Sequence, residues 1–257
     1  MDYGMKNRLS RIISPKDNKT VMLAIDHGYF MGPTGGLEEP DKTISPLIPF
    51  ADSLMLTRGI LRTKISPEFN TPIVLRVSGG TSILKEDLSD EDISVSMEDA
   101  VRLNVSAVAL SIFVGSAHEK QSIINLSKLV DKGYKYGIPV LAVTAVGRDM
   151  NRDSRYLSLA CRIAAETGAN IVKTYYCDNF EEVIRTCPVP VVVAGGKKTT
   201  EQEALQLAYN AVSKGASGVD MGRNIFQSEK PLSMIKAVKS VVHDGSDPKN
   251  AFIGYSK

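Results

Sequence analysis

Eight short runs of apolar residues, at 21–25, 53–56, 73–77, 107–112, 140–143, 170–173, 189–194 and 218–221, punctuate the chain from end to end. They are rich in Val, Ile and Leu and mostly lack polar alternation, the pattern of parallel strands covered on both faces. Between several of them the period changes to helical. Residues 122–136 put Ile123, Leu126, Leu129 and Val130 on one face, and 154–167 and 200–214 are similarly amphipathic. Gly133, Gly137, Gly168 and Gly215 fall where helices are expected to end, and Pro72, Pro139, Pro188 and Pro190 where strands begin. Eight such units, with no Gly-rich dinucleotide fingerprint after the first strand, predict an α/β fold of the single (β/α)8 TIM barrel kind rather than a doubly wound sheet.

The length of 257 residues suits one barrel and is too short for two α/β domains. The expected organisation is therefore one catalytic domain over 1–257, with 1–19 as a lead-in and 230–257 as a final helix and tail. The acidic, apolar-poor stretch 79–96 is expected to be an irregular insertion.

A net charge of +2 without any basic run leaves no electrostatic footprint for nucleic acid. Cys161, Cys177 and Cys187 are odd in number and match no metal-binding spacing, so reduced thiols, no metal site and a cytoplasmic address are expected. The polar residues 1–18 lack the apolar centre of a signal peptide, and no run reaches the roughly 18 apolar residues of a membrane span, so no membrane partner is expected.

In this fold the chemistry gathers at the carboxyl ends of the strands. The polar residues expected there are Asp26, His27, Arg58, Arg76, Ser78, Thr144, Arg148, Lys173, Tyr175, Lys197 and Arg223. Lys173 stands apart because it sits inside Asn170-Ile171-Val172-Lys173-Thr174-Tyr175, where a strand interior should exclude an ammonium. Desolvation favours the neutral amine that a Schiff base needs. A lysine that merely snorkels to water is the bland alternative. Asp26-His27-Gly28 closes the first run with a carboxylate and an imidazole able to move protons. Ala194-Gly195-Gly196-Lys197 and Met221-Gly222-Arg223-Asn224 follow the seventh and eighth runs, where barrels commonly bind phosphate. Gly195, Gly196, Gly222 and Arg223, with Arg58 and Arg148, are the expected phosphate and substrate contacts. Cys177, four residues beyond Lys173, has no neighbour that would obviously activate it as a nucleophile.

Asp26-His27-Gly28, Val172-Lys173, Gly195-Gly196 and Gly222-Arg223-Asn224 together resemble the class I aldolase family of archaeal fructose-bisphosphate type, over nearly the whole chain. The resemblance implies that Lys173 forms a Schiff base with a phosphorylated keto substrate, without a bound cofactor, in a homo-oligomer of two stacked rings, a decamer. One stretch departs from the pattern. Where the aldolases carry a tyrosine acid in Tyr-Pro-Arg-Gly after the fifth strand, this chain reads Val146-Gly147-Arg148-Asp149. An aldol cleavage needs that acid or base, worth roughly 10² to 10⁴ in rate. Its loss points to the family's acyl-transferring branch, in which coenzyme A is the co-substrate and acetyl-CoA and dihydroxyacetone phosphate are the products. A class I aldolase acting on a sugar phosphate such as fructose 1,6-bisphosphate is the alternative, as is a phosphosugar-binding barrel without catalysis, against which the buried lysine argues.

Overall fold

Each apolar run becomes one strand of a closed parallel barrel in the computed structural model, which describes residues 1–145 and 151–256. The barrel strands are β1 (Thr20–Ala24), β2 (Ser53–Thr57) and β3 (Ile73–Arg76). Next come two short strands outside the barrel, β4 (Ser78–Gly79) and β5 (Asp92–Ile93), which pair with each other antiparallel. The barrel resumes with β6 (Ala107–Ile112), β7 (Val140–Thr144), β8 (Ile171–Thr174), β9 (Val191–Ala194) and β10 (Gly218–Met221), and closes in the order β1-β10-β9-β8-β7-β6-β3-β2. The expected (β/α)8 barrel is therefore present, and the expected insertion at 79–96 is the arm that carries β5.

The helices are α1 (Tyr3–Ile12), α2 (Gly28–Met31), α3 (Pro40–Thr43), α4 (Arg58–Lys64), α5 (Met97–Arg102), α6 (Glu119–Tyr136), α7 (Ser154–Glu166), α8 (Phe180–Thr186), α9 (Glu201–Ser213), α10 (Arg223–Phe226), α11 (Pro231–Asp244) and α12 (Pro248–Ser256). Two details differ from the sequence expectation. Gly133 lies inside α6 rather than at its end: a Cβ there would stand 2.6 Å from Ile138 O, so close packing on the β7 approach demands it, while Gly137 at φ +67° caps the helix. The segment expected to be a tail after α11 forms α12, whose Ala251 and Tyr255 are buried.

Strand alternation divides the core. Val219 and Met221 point outward into the layer beneath α9 and α11, with Val21, Leu23, Leu54 and Leu56. Met22, Met55, Val74, Ala107, Ala109, Leu141, Ile171 and Val192 point inward and fill the barrel, where they meet Ile12 and Ile13 from the lead-in. Residues 1–19 thus plug the amino-terminal face, with Asp2 capping α1 through a 2.8 Å bond from Met5 N. On that face His243 of α11 bridges two carboxylates, Nδ1 to Asp17 Oδ2 at 2.6 Å and Nε2 to Asp52 Oδ2 at 2.7 Å. With this end closed by packing, the upper layer of inward positions opens only toward the carboxyl ends of the strands.

Candidate active site

The same alternation that sends Ile171 inward sends Lys173 inward one layer higher, and on β10 it does the same for Asp220, flanked by outward Val219 and Met221. Lys173 Nζ stands 2.8 Å from Asp220 Oδ2, and the Asp220 side chain is fully buried. Asp220 Oδ1 has no hydrogen-bond partner among the described residues. Burial pushes the Asp220 carboxyl above the usual range, the nearby Asp26 adds to this, and Lys173 offsets only part of it. The lysine of the sequence expectation therefore has a partner that the candidate list omitted. The signal was present: an acid inside Gly218-Val219-Asp220-Met221 is as anomalous as a lysine inside the 170–173 run.

Asp26 follows β1 and is held by Arg76 of β3, whose Nε and NH2 both lie 3.0 Å from Asp26 Oδ2. Burial alone would raise the Asp26 carboxyl, but Arg76, Lys173 and His27 outweigh it and the net direction is down. Arg76 NH1 donates to Ser111 Oγ at 2.9 Å, and its guanidinium stands over the Tyr29 ring, 5.1 Å from the centroid. Tyr29 Oη and Ser78 Oγ each donate to Glu91 at 2.7 Å, so the insertion is anchored to the barrel mouth through a buried carboxylate. Glu91 and Tyr29 had no local sequence signal, since Ser89-Asp90-Glu91-Asp92 reads as a solvated acidic turn. The half-buried His27 has a pKa pushed down to about 4, chiefly by burial, with Lys173, Arg223 and Arg76 adding and Asp26 opposing. Its imidazole is neutral near pH 7, and its Nδ1 has no partner among the described residues.

The loops after β9 and β10 are stapled together. Asn224 Nδ2 donates to Gly195 O at 2.7 Å and to Lys197 O at 3.2 Å, and Arg223 NH2 donates to Gly196 O at 2.9 Å. A Cβ on Gly222 would meet Ala24 O at 2.1 Å and His27 Cε1 at 2.7 Å, so only glycine lets this loop lie against the end of β1. Gly195 differs from expectation in one respect, since its N–H donates to Asp220 O at 3.2 Å and is spent on the barrel. Three donors of these loops are left over, the N–H groups of Gly196 and Gly222, which bond to no described residue, and the buried, unpartnered Nε of Arg223.

These groups line one cavity of about 560 Å³, together with Thr144, Tyr175 and Lys197. Arg58 does not: it starts α4 and pairs with Asp99 of α5 at 3.3 Å, so its expected role as a substrate contact is corrected to an ion pair between helices. Arg148 and the rest of 146–150 lie outside the described residues. Cys177 is buried, and burial and the nearby Asp178 push its thiol up to about 11, the opposite of an activated nucleophile. Among the described residues no group of His, Cys, Asp or Glu gathers as it would around a metal ion, and no helix is long and apolar enough to cross a membrane.

The chain as a whole is similar to proteins of known name and fold. A Photorhabdus laumondii protein named 3-hydroxy-5-phosphonooxypentane-2,4-dione thiolase is 60% identical over 253 residues, covering 98% of this chain and 87% of its own length. The crystal structure of an archaeal fructose 1,6-bisphosphate aldolase superposes with a TM-score of 0.84 at 27% identity, over 94% of this chain and all of that one. Another archaeal fructose-1,6-bisphosphate aldolase, with its catalytic Lys covalently bound to the carbinolamine intermediate of its substrate, gives 0.82 at 26% identity, over 93% of this chain and 99% of that one. The description DeoC/LacD family aldolase matches residues 20–228, the whole barrel from β1 through α10, and on that match the chain belongs to the DeoC/LacD family of aldolases.

Proposed function

We propose that the chain is a Schiff-base thiolase that cleaves 3-hydroxy-5-phosphonooxypentane-2,4-dione with coenzyme A to acetyl-CoA and dihydroxyacetone phosphate. The observation that carries the reading is the Lys173–Asp220 pair at 2.8 Å on the floor of a cavity whose rim offers phosphate donors. Support also comes from the thiolase name borne by a relative 60% identical to this chain.

The phosphate rests on the N–H groups of Gly196 and Gly222 and on Arg223 Nε, which fixes the adjacent ketone over Lys173. Lys173 Nζ adds to that C4 carbonyl. Asp220, whose raised pKa suits it to exchange protons, serves the carbinolamine and its loss of water. The coenzyme A sulfur then adds to the C2 carbonyl. When the C2–C3 bond breaks, its electron pair moves into the C3–C4 bond and on to the iminium nitrogen, and the acetyl group leaves on sulfur. The enamine takes a proton at C3, relayed by Asp26 and the neutral His27, which line the same cavity. Hydrolysis of the iminium releases dihydroxyacetone phosphate and restores the amine, so no oxidant or reductant is needed. The free, buried Cys161, Cys177 and Cys187 suit a reducing cytoplasm.

Borohydride treatment in the presence of the phosphorylated diketone, followed by peptide mapping, tests the imine. An adduct on Lys173 together with acetyl-CoA release on adding coenzyme A is expected. An unmodified Lys173 overturns the proposal, and turnover of fructose 1,6-bisphosphate without coenzyme A selects an aldolase instead.

A further inference from the structure

The cavity extends past Lys173, away from the phosphate loops, to the insertion between β3 and β6. This lobe changes character from inside to outside. Phe113 is buried, Phe30 and Leu88 are half-buried, and Ile83 is 55% exposed although it forms part of the wall. Beyond them stand two exposed cations, Lys85 and Arg152. The wall is preformed: Ile83 N donates to Phe30 O at 3.0 Å, and the Phe30 ring meets Tyr29 edge-on at 5.0 Å. The Arg152 guanidinium stacks on the Tyr175 ring, 3.8 Å from its centroid, while Lys85 reaches Asp90 only at 3.9 Å. Glu86 and Asp87 share the rim, but Asp87 is turned back into the loop, accepting from Ser89 N at 2.8 Å.

The substrate's phosphate and ketone use neither this apolar wall nor the cations beyond it. Resting on the thiolase reading, we infer that the insertion lobe binds the second reactant, with the thiol-bearing, largely apolar arm of coenzyme A along Phe30, Ile83, Leu88 and Phe113, and its phosphates against Lys85 and Arg152. The order of the wall matches the order of groups along that molecule, from uncharged thiol arm to diphosphate. It delivers the sulfur from the side of Lys173 opposite the substrate phosphate, where the acetyl carbonyl lies. A planar guanidinium held over an aromatic ring keeps its edge N–H groups for phosphate oxygens.

Two variants and two thiols test this. In Ile83→Asp, a carboxylate on the wall should raise KM for coenzyme A by about tenfold or more. Lys85→Glu should raise KM for coenzyme A while leaving that for pantetheine, which lacks the phosphates, within about twofold, a factor too small to signal a lost charge contact. Borohydride trapping of dihydroxyacetone phosphate on Lys173 checks that each variant keeps a folded site. Unchanged KM for coenzyme A in both variants overturns the lobe assignment while leaving the thiolase reading intact. A parent enzyme that traps the ketone but releases no acetyl-CoA overturns the thiolase reading, and the lobe assignment with it. Equal losses for coenzyme A and pantetheine in Lys85→Glu refute the placement of the phosphates.

Discussion

Asp26→Asn separates two demands that the site makes on one carboxylate. If Asp26 only moved protons, its replacement would cost activity and leave the fold unchanged or more stable, as is common when a strained functional group is removed. The geometry predicts otherwise. Asp26 and Arg76 side chains are 7% and 5% exposed, and two guanidinium nitrogens share Asp26 Oδ2 at 3.0 Å. Arg76 cannot escape by losing its proton, since a guanidinium stays charged in proteins. Removing one partner of such a pair costs about 3–5 kcal/mol. The Ser111 hydroxyl at 2.9 Å and the Tyr29 ring remain, so the lower end, about 3 kcal/mol, applies. At about 2–4 °C per kcal/mol for a domain of this size, Tm should fall by about 6–12 °C. Urea unfolding of Asp26→Leu, Arg76→Met and the double variant Asp26→Leu/Arg76→Met, alongside Asp26→Asn, measures the coupling. The double variant should regain most of the loss, because an apolar pair of similar volume carries no desolvation penalty. The sign with pH follows from the lowered carboxyl: the pair's contribution is complete above the unfolded value of about 3.9 and is lost as pH falls through the lower folded value. Asp26→Asn should therefore flatten that acid limb. An Asp26→Asn protein as stable as its parent, with coupling to Arg76 below about 0.5 kcal/mol, would refute the reasoning.

The other expectations are narrower. Asp220→Asn should slow borohydride-trapped adduct formation on Lys173 by roughly 10² to 10⁴, as loss of a positioned acid–base group does; an unchanged trapping rate would remove Asp220 from the mechanism. Nitrogen chemical shifts of His27 should stay those of a neutral imidazole from pH 8 to about 5, and because its folded pKa near 4 lies below the unfolded value of about 6.5, its contribution to stability is full above pH 6.5 and lost as pH falls toward 4. His243 has the opposite sign: its hydrogen bonds to Asp52 and Asp17 raise it against burial, so its contribution is full below the unfolded value of about 6.5 and lost as pH rises through the folded one, a dependence that Tm of His243→Gln should lack. Gly222→Ala, whose Cβ would press on Ala24 O at 2.1 Å, should lose about 1–3 kcal/mol of stability and raise KM for the phosphorylated substrate more than that for coenzyme A.

How much of this was legible beforehand follows from where the physics is local. A strand buried on both faces leaves a continuous apolar run, so all eight barrel strands could be read, and a charge inside such a run is visible against its background, as Lys173 was. Asp220 met the same criterion but sat in a run of only four residues beside the more conspicuous Gly222-Arg223, and its importance depends on β10 closing the barrel two strands from β8, a relation no local pattern contains. Arg58 failed for the converse reason. It does follow β2, but it begins a helix, and from there it meets Asp99 of α5 rather than the cavity. The insertion was legible as irregular, yet its function rests on Glu91 meeting Tyr29 and Ser78 across long sequence separations.

The residues around Lys173 share a geometry that bears on how the site works. Lys173 reaches the floor through its own strand, but each group that governs its surroundings arrives from a different element: Asp220 from β10, Asp26 from the end of β1, Arg76 from β3, and Glu91 from the insertion. Arg76 is the link among the last three, since it bonds Asp26 directly and lies over the ring of the tyrosine that Glu91 holds. A ligand that moved the insertion would therefore bear on Arg76 through Glu91 and Tyr29. Asp26 and the lobe proposed for coenzyme A thus share one buried guanidinium, that of Arg76.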